Sequence, residues 1–262
     1  MFSTRVALAL AGALLLLAAR AQAAPASLCD GGLLAILNRP TIGFSTCAVA
    51  RGKSVGEFGV QNTSNPSGTN VSIGQGFLRY GLGDGFEADI NAPNVTLGSA
   101  VPATGLNDLG IGMKWQFLDA ATTGGAIDLI ESAPTARQGV TIGAPTTTFN
   151  LDLATALGAQ SGLGVTLAAI DTSGHTARGA RERYLAFQPS LSLTTLLNPR
   201  LQLYLEGVDL ARTAPQGGNS FTIDGGFQYA ARPWLELDIE AAHATIDGVR
   251  SQYVGLGFGI AT

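Results

Sequence analysis

Apolar and polar residues alternate with a period of two along most of the chain after about residue 50. In the clearest stretch, 235–241, the apolar residues at odd positions are separated by Glu236, Asp238 and Glu240. Similar alternation runs through 108–117 and 221–229. Because side chains of a β-strand point alternately to opposite faces, this pattern predicts strands with one apolar and one polar face.

The repeated alternation predicts twelve strands, an even number, as single-chain bacterial barrels have. The predicted strands are 54–62, 69–81, 86–96, 105–117, 125–133, 146–157, 162–172, 182–194, 201–211, 219–230, 234–245 and 251–260. Most joins after even-numbered strands are short, whereas most joins after odd-numbered strands are longer, such as 134–145 and 173–181. Short periplasmic turns and longer external loops are typical of outer-membrane barrels, so both ends of the predicted barrel face the periplasm.

The first residues predict export. Arg5 precedes the apolar stretch Val6–Ala19, and Ala21 and Ala23 supply small residues at the positions that a signal peptidase reads. We therefore expect a signal peptide at 1–23, cleaved near Ala23 or Ala24. The expected organisation is this signal peptide, an N-terminal extension at 24–53 and a barrel at 54–262.

The composition agrees with a membrane barrel. Only 13% of residues are charged, 35 residues are glycine, and the mean hydropathy is +0.25. No segment after the signal peptide offers the roughly 18 consecutive apolar residues of a membrane helix. A closed antiparallel up-and-down barrel satisfies the backbone in lipid, so the predicted fold class is all-β, in the outer membrane, with outer-membrane lipid as a partner. The formal charge of −4 argues against nucleic acid as a partner.

The extension holds Cys29 and Cys47. An oxidising periplasm favours a disulfide between them, and two free thiols are the alternative. The short apolar run Leu33–Leu37 predicts either a helix inserted into the barrel as a plug, tied by the disulfide, or a tail in the periplasm.

Three motifs then carry a resemblance. The stretch Gly105–Trp115 is similar to a "GLGDLxLGxKY" motif, Arg79–Leu82 followed by Gly85–Glu87 resembles "RYGLTDxxE", and Asp224–Gly226 with Leu235–Asp238 fits a penultimate hairpin. Together they resemble an outer-membrane transporter-like family that is often labelled the MetA-pathway of phenol degradation, over roughly residues 50–260.

The resemblance implies an outer-membrane barrel that imports or exports small organic compounds, without a defined substrate. The chain departs from such barrels at its end, which reads Gly259–Thr262. Barrels of this kind usually end on an aromatic residue that the barrel assembly machinery reads. Either Phe258 replaces it or assembly is less efficient, and the sequence leaves both open.

In a membrane barrel the polar phase faces the lumen. The charged residues of this phase predict an acid-lined passage that favours cations or hydrogen-bonding solutes, and a wet interior filled by ion pairs is the alternative. Gln116 belongs to the same phase, and Arg183 joins it if its strand keeps register, although Leu185 and Phe187 share its phase. The lumen-lining candidates are Glu87, Asp89, Asp108, Lys114, Asp152, Asp224, Glu236, Asp238 and Glu240.

The sequence thus predicts a channel for passive passage of small organic solutes, with aromatic compounds as one option. A plugged, structural or adhesive barrel is the alternative. We expect no enzyme, because His175 falls in a predicted loop and His243 shares the phase of lipid-facing residues. Two histidines and two cysteines without clustered spacing predict no metal site, and no cofactor is expected.

Overall fold

The computed structural model describes residues 27–98, 104–136, 141 and 143–262. The predicted signal peptide, 1–23, lies outside the described residues. Parts of the predicted loop 134–145 lie outside them as well. No helix among the described residues is long and apolar enough to cross a membrane.

Strands dominate the chain from Ser54 onward, as the period-two pattern predicts. Fourteen strand segments are present in the described residues. They are β1 Ser54–Asn65, β2 Gly68–Gly83, β3 Phe86–Asn91, β4 Val95–Gly98, β5 Gly105–Leu106, β6 Leu109–Asp119, β7 Thr123–Ala133, β8 Thr146–Ala156, β9 Ser161–His175, β10 Arg181–Asn198, β11 Leu201–Leu210, β12 Ser220–Arg232, β13 Leu235–Ile246 and β14 Val249–Ala261.

The segments form a closed antiparallel barrel of twelve strands. β2 pairs with both β3 and β4, so these two segments are one barrel strand interrupted at 92–94. β5 and β6 likewise form one strand interrupted at 107–108. β1 pairs with β2 on one side and with β14 on the other, which closes the sheet. The prediction of twelve strands is confirmed. The structure differs by the two interruptions within predicted strands 86–96 and 105–117 and by a longer β9 and β10, so that His175, predicted in a loop, ends β9.

The two faces of each strand differ as the alternation predicts. In β13, Leu237 and Ile239 are about half exposed on the outside, at 47% and 52%. Asp238, between them, is 5% exposed in the interior. An apolar outer surface around a polar interior is the reverse of a soluble protein and is the arrangement of an outer-membrane barrel.

The two ends of the barrel differ. The terminus end, which carries Ser54 and Ala261, has joins of two to four residues, at 84–85, 120–122, 157–160, 199–200 and 233–234. The loop end carries the longer joins 99–104, 134–145, 176–180 and 211–219, together with two-residue turns at 66–67 and 247–248. The predicted asymmetry therefore holds apart from those two tight turns.

Residues 28–51 form a segment, here called the plug, whose middle part, 33–49, lies inside the barrel, whereas Asp30 and Arg51 near its two ends are exposed. They begin with a 3-10 helix, Leu28–Gly31, and one turn of α-helix, Leu33–Ile36. Leu33 and Leu37 pack with Val49 and with Val55 of β1 in an apolar cluster. The Cys29–Cys47 disulfide is present and links the two ends of the segment. Of the two predicted alternatives for this segment, the structure shows the plug and not the tail.

Candidate functional site in the barrel interior

The interior is rich in carboxylates because acids occupy the inward phase of most strands. Two cations of the wall, Arg79 and Lys114, are buried beside them, and the plug adds Arg39. Among the described residues, the buried wall acids are Glu57, Glu87, Asp89, Asp128, Asp152, Glu206, Asp224, Glu236, Asp238 and Glu240. The acids outnumber the cations severalfold, so an ionised interior would be strongly negative.

Arg79 of β2 lies at the centre of the first part of the network. Its Nε lies 2.8 Å from Glu87 Oε1, and its Nη1 lies 3.3 Å from Glu57 Oε1. Its guanidinium also donates to the plug, through Nη2 to the Cys47 carbonyl at 2.8 Å and through Nη1 to the Ile36 carbonyl. The Arg79 side chain therefore binds two wall carboxylates and two separate parts of the plug, one at Ile36 and one at Cys47. The wall residues are fully buried, so the pairs are shielded from solvent.

Three wall glutamates hold the plug by accepting backbone hydrogen bonds. Glu57 Oε2 accepts from the amides of Asn38 and Arg39 at 2.9 and 2.6 Å. Glu206 accepts from Ile42 and Gly43 at 2.6 and 2.9 Å. Glu87 Oε2 accepts from Val49 at 2.6 Å. A non-helical segment buried inside a barrel needs partners for its N–H groups, and these carboxylates supply them.

Lys114 of β6 completes this side of the interior. Its Nζ donates to the Ser45 carbonyl of the plug at 2.8 Å and lies 3.6 Å from Asp128 and 3.8 Å from Glu87. It also lies 5.6 Å from the centre of the Phe44 ring. Asp89 lies close to this cluster, but neither of its carboxylate oxygens has a hydrogen-bond partner among the described residues. Glu87, Asp89 and Asp128 form the acidic face around the lysine.

The opposite wall is acidic as well. Glu236, Asp238 and Glu240 follow one another on the inward face of β13, and Asp224 and Glu206 lie on the neighbouring strands β12 and β11. The plug approaches this wall with Arg39, whose Nη2 lies 3.1 Å from Asp238 and 3.6 Å from Glu240. Gln228 of β12 donates to the Arg39 carbonyl at 2.7 Å.

Two cavities flank residues 42–44, here called the tip of the plug. A cavity of about 580 Å³ runs beside the plug along the inner ends of β8 to β12 and reaches Arg39, Gly43 and Phe44. A smaller cavity of about 210 Å³ lies on the loop-end side of the same tip and is lined by hydroxyl, amide and aliphatic side chains. Gly43, Phe44 and Thr166 border both. The plug tip therefore narrows the lumen between the larger cavity, here called the inner space, and the smaller cavity on the loop-end side, here called the outer space.

The predicted lumen residues divide into two groups. The structure buries Glu87, Asp89, Lys114 and Asp152 on one side of the interior, and four others on the facing wall. Those four are Asp224, Glu236, Asp238 and Glu240. Asp108 is set apart, because it lies between β5 and β6 at the loop end and accepts a hydrogen bond from the Ala136 amide at 2.8 Å.

Arg183 is a correction. It shares the outward phase of Leu185 and Phe187, which are 61% and 47% exposed. It pairs with Asp171 at 2.6 Å on the exposed surface near the loop end. The register that would have turned it inward is not adopted. His243 also faces outward, as its phase predicts.

Several interior residues were missed in the sequence, namely Glu57, Arg79, Asp128 and Glu206. Asp128 lies between the outward-facing Ile127 and Leu129, but its inward phase also carries the buried Ile130, so the alternation is weaker than in β13. Arg79, between Leu78 and Tyr80, follows the alternation. The period-two pattern places Arg79 and Glu206 inside, whereas the buried Ile130 and Val55 share the inward phase of Asp128 and Glu57 and obscure the pattern there. What no alternation indicates is that their partners come from the plug.

Solved structures with the same fold are outer-membrane barrels. An outer membrane channel from Pseudomonas putida F1 matches with a TM-score of 0.64 at 15% identity, over 83% of this chain and 98% of that one. The NanC porin matches with a TM-score of 0.59 at 8% identity, over 78% of this chain and 98% of the porin. The KdgM porin in complex with disordered oligogalacturonate matches with a TM-score of 0.54 at 6% identity, over 78% of this chain and 98% of that one.

Neither a known protein-family profile nor a curated protein sequence matches the chain. The outer-membrane barrel that the motifs implied is confirmed by the fold, and the phenol-degradation label is not confirmed. The chain is thus a bacterial outer-membrane β-barrel whose lumen holds residues 33–49 of the same chain.

Proposed function

We propose that this protein is an outer-membrane channel for passive passage of small organic solutes, and that it prefers cations. The observation that carries the proposal is the excess of buried carboxylates around a lumen with cavities on both sides of the plug tip. Rings and rows of one charge sign set the ion selectivity of channels. The outer-membrane fold supports a role in passage, because it places this acidic interior across the membrane.

The lining of the two cavities suits solutes with both polar and apolar parts. Hydroxyl and amide groups of Ser190, Asn150 and Gln188 line the outer space, together with Ile130 and Val208. The Phe44 ring borders both spaces. A small organic cation could exchange hydrogen bonds along the wall while its apolar part contacts Phe44. Aromatic solutes are one option within this class.

The second candidate is a plugged barrel with a structural or adhesive role. It is favoured by the number of wall groups that hold the plug, including Glu57, Glu87 and Glu206. In this alternative the carboxylates stabilise the plug and do not select solutes, and the loops at 134–145 and 176–180 would contact a partner.

Single-channel current separates the two candidates. The chain without 1–23 is refolded into a planar bilayer under a potassium chloride gradient. We expect discrete current steps and a reversal potential whose sign shows cation preference. Replacing Asp238 and Glu240 with Asn and Gln should lower this preference, whereas Asp84→Asn, at an exposed turn, should leave it unchanged. Silence of the folded barrel, both with the plug and after deletion of 24–50, would reject the channel in favour of the structural role.

A further inference from the structure

The guanidinium of Arg39 occupies a defined slot in the barrel wall. Its Nε and Nη2 face the two carboxylate oxygens of Asp238, at 3.3 and 3.1 Å. Its Nη1 donates to Gln75 Oε1 of β2 at 2.9 Å, and Glu240 lies 3.6 Å from Nη2. Two parallel contacts to one carboxylate match the planar fork of a guanidinium and distinguish it from a compact ammonium.

Two glycines form the floor of this slot. Gly59 of β1 and Gly257 of β14 face each other across the strand pair that closes the barrel. A Cβ atom at Gly59 would lie 2.5 Å from Arg39 Cζ, and one at Gly257 would lie 2.6 Å from Arg39 Nη2. Any larger residue at either position would fill the space of the guanidinium. The wall is therefore shaped to the flat face of a planar cation.

The wall of the slot supplies negative charge and no cation of its own. Asp238 and Glu240 contact the guanidinium, and Glu236 precedes them on the same inward face. Among the described residues that contact these carboxylates through an ion pair, the positive charge comes from Arg39 of the plug. If the plug moved, the wall would be left with uncompensated buried carboxylates, which is unfavourable until another cation replaces the arginine.

Arg39 lies between the slot and a cavity of the interior. The Arg39 side chain lines the cavity of about 580 Å³ and keeps 13% of its surface exposed. Gln202 and Gln228 border the same cavity. A small solute in this space therefore reaches Arg39, whose guanidinium covers the fully buried Asp238 carboxylate.

From these contacts we propose that the slot is a binding site for solutes that carry a guanidinium group, and that Arg39 fills it as an internal ligand. The assignment names the solute class of the proposed channel and rests on that function. A solute guanidinium competes with Arg39 for Asp238, and its binding frees the plug at this point. Asp238 and Glu240 thus bind the same guanidinium group in the solute as in Arg39.

The test removes the Arg39 guanidinium by mutation and supplies a soluble guanidinium compound in its place. The Arg39→Ala variant of the full mature chain is folded in detergent micelles and titrated with methylguanidinium, at constant ionic strength, by calorimetry and by thermal unfolding. We expect saturable binding with a rise in the melting temperature, because a ligand that binds the folded state stabilises it. Methylurea, which has a similar planar shape without the charge, should give neither effect. Methylammonium should bind about tenfold more weakly, since it lacks the planar fork.

Slot variants supply the matched controls. In the Arg39→Ala background, Gly257→Ala places a methyl group against Asp238 and should abolish methylguanidinium binding. The Arg183→Ala variant removes an exposed arginine on the outside and should gain no response. If Arg39→Ala does not fold, Arg39→Lys replaces it, and weaker but saturable methylguanidinium binding is expected. Equal responses to methylguanidinium and methylurea, or binding that survives Gly257→Ala, would overturn the slot.

The same variants measured in a bilayer keep the two proposals apart. Arg39→Ala should conduct more than the parent chain, and methylguanidinium should reduce its current in a saturable way. A folded variant that binds methylguanidinium but never conducts supports the slot and rejects the channel. A conducting variant that does not distinguish methylguanidinium from methylurea supports the channel and rejects the slot.

Discussion

Arg79 of β2 and Glu87 of the neighbouring β3 form an ion pair inside the barrel, with Arg79 Nε 2.8 Å from Glu87 Oε1, and each also binds the plug. Arg79 donates to the Cys47 carbonyl, and Glu87 accepts from the Val49 amide. The two residues of the ion pair thus bind the plug at Cys47 and Val49, close to the start of β1. The contact couples the stability of the barrel to the position of the segment in its lumen.

Arg79→Met should be strongly destabilising, because it leaves Glu57 buried without its cation and removes the nearer of the two cations that pair with Glu87. Breaking one partner of a buried pair costs about 3–5 kcal/mol. The measurement is the free energy of unfolding in urea from lipid vesicles. Arg51→Met is the matched control, since the Arg51–Asp84 pair is 71% and 86% exposed and should contribute less than about 1 kcal/mol. Equal losses for the two variants would contradict the central role of Arg79.

Glu206 and Asp89 should respond in opposite ways to loss of charge. Glu206→Gln removes an acceptor from the Ile42 and Gly43 amides and should cost about 1–3 kcal/mol. Asp89→Asn should be neutral or stabilising, because Asp89 is 2% exposed and its oxygens have no hydrogen-bond partner among the described residues. Hydrogen exchange at the Ile42 and Gly43 amides should quicken in the first variant alone. Faster exchange in both would show that interior charge, and not these bonds, holds the plug tip.

The disulfide should stabilise the plug. Cys29 and Cys47 are 18 residues apart, and a cross-link of that span contributes about 3 kcal/mol in the chain-entropy model. Replacing both with Ser should lower the stability of the plug and increase its proteolysis at Phe44. Reductant should reproduce the effect in the parent chain and have none in the variant. Unchanged proteolysis in both cases would mean that the wall contacts alone hold the segment.

A charge introduced on the outer surface should lower the free energy of unfolding more near the middle of the membrane than near its edge. Leu256, 62% exposed, faces outward in the middle of β14 beside Ile239. Leu256→Lys should cost about 2–4 kcal/mol, as lysine does near the centre of a bilayer. Val249→Lys, beside the turn at 247–248, is the matched control and should cost about 0–1 kcal/mol. The comparison uses folding from urea into vesicles. Similar costs at both sites would contradict the membrane placement of β14.

The barrel itself was accessible from the sequence. Alternation along β13 places Asp238 and Glu240 on one face and Ile239 on the other because successive Cβ atoms of a strand point in opposite directions. The same rule places Arg79 and Glu206 on the inward face. The number of strands follows from counting these stretches, since antiparallel neighbours joined by short turns pair in chain order.

What the tertiary structure decided is which groups meet in the interior. Arg39 meets Asp238, 199 positions away, and Ile42 meets Glu206, 164 positions away. Such contacts depend on how a non-repeating segment lies in a closed cylinder, and no periodicity of the wall encodes them. Closure of β1 on β14 brings Gly59 opposite Gly257 and creates the floor beneath Arg39. The local pattern therefore determined the wall and its two faces, whereas long-range packing against a buried, irregular backbone determined the site.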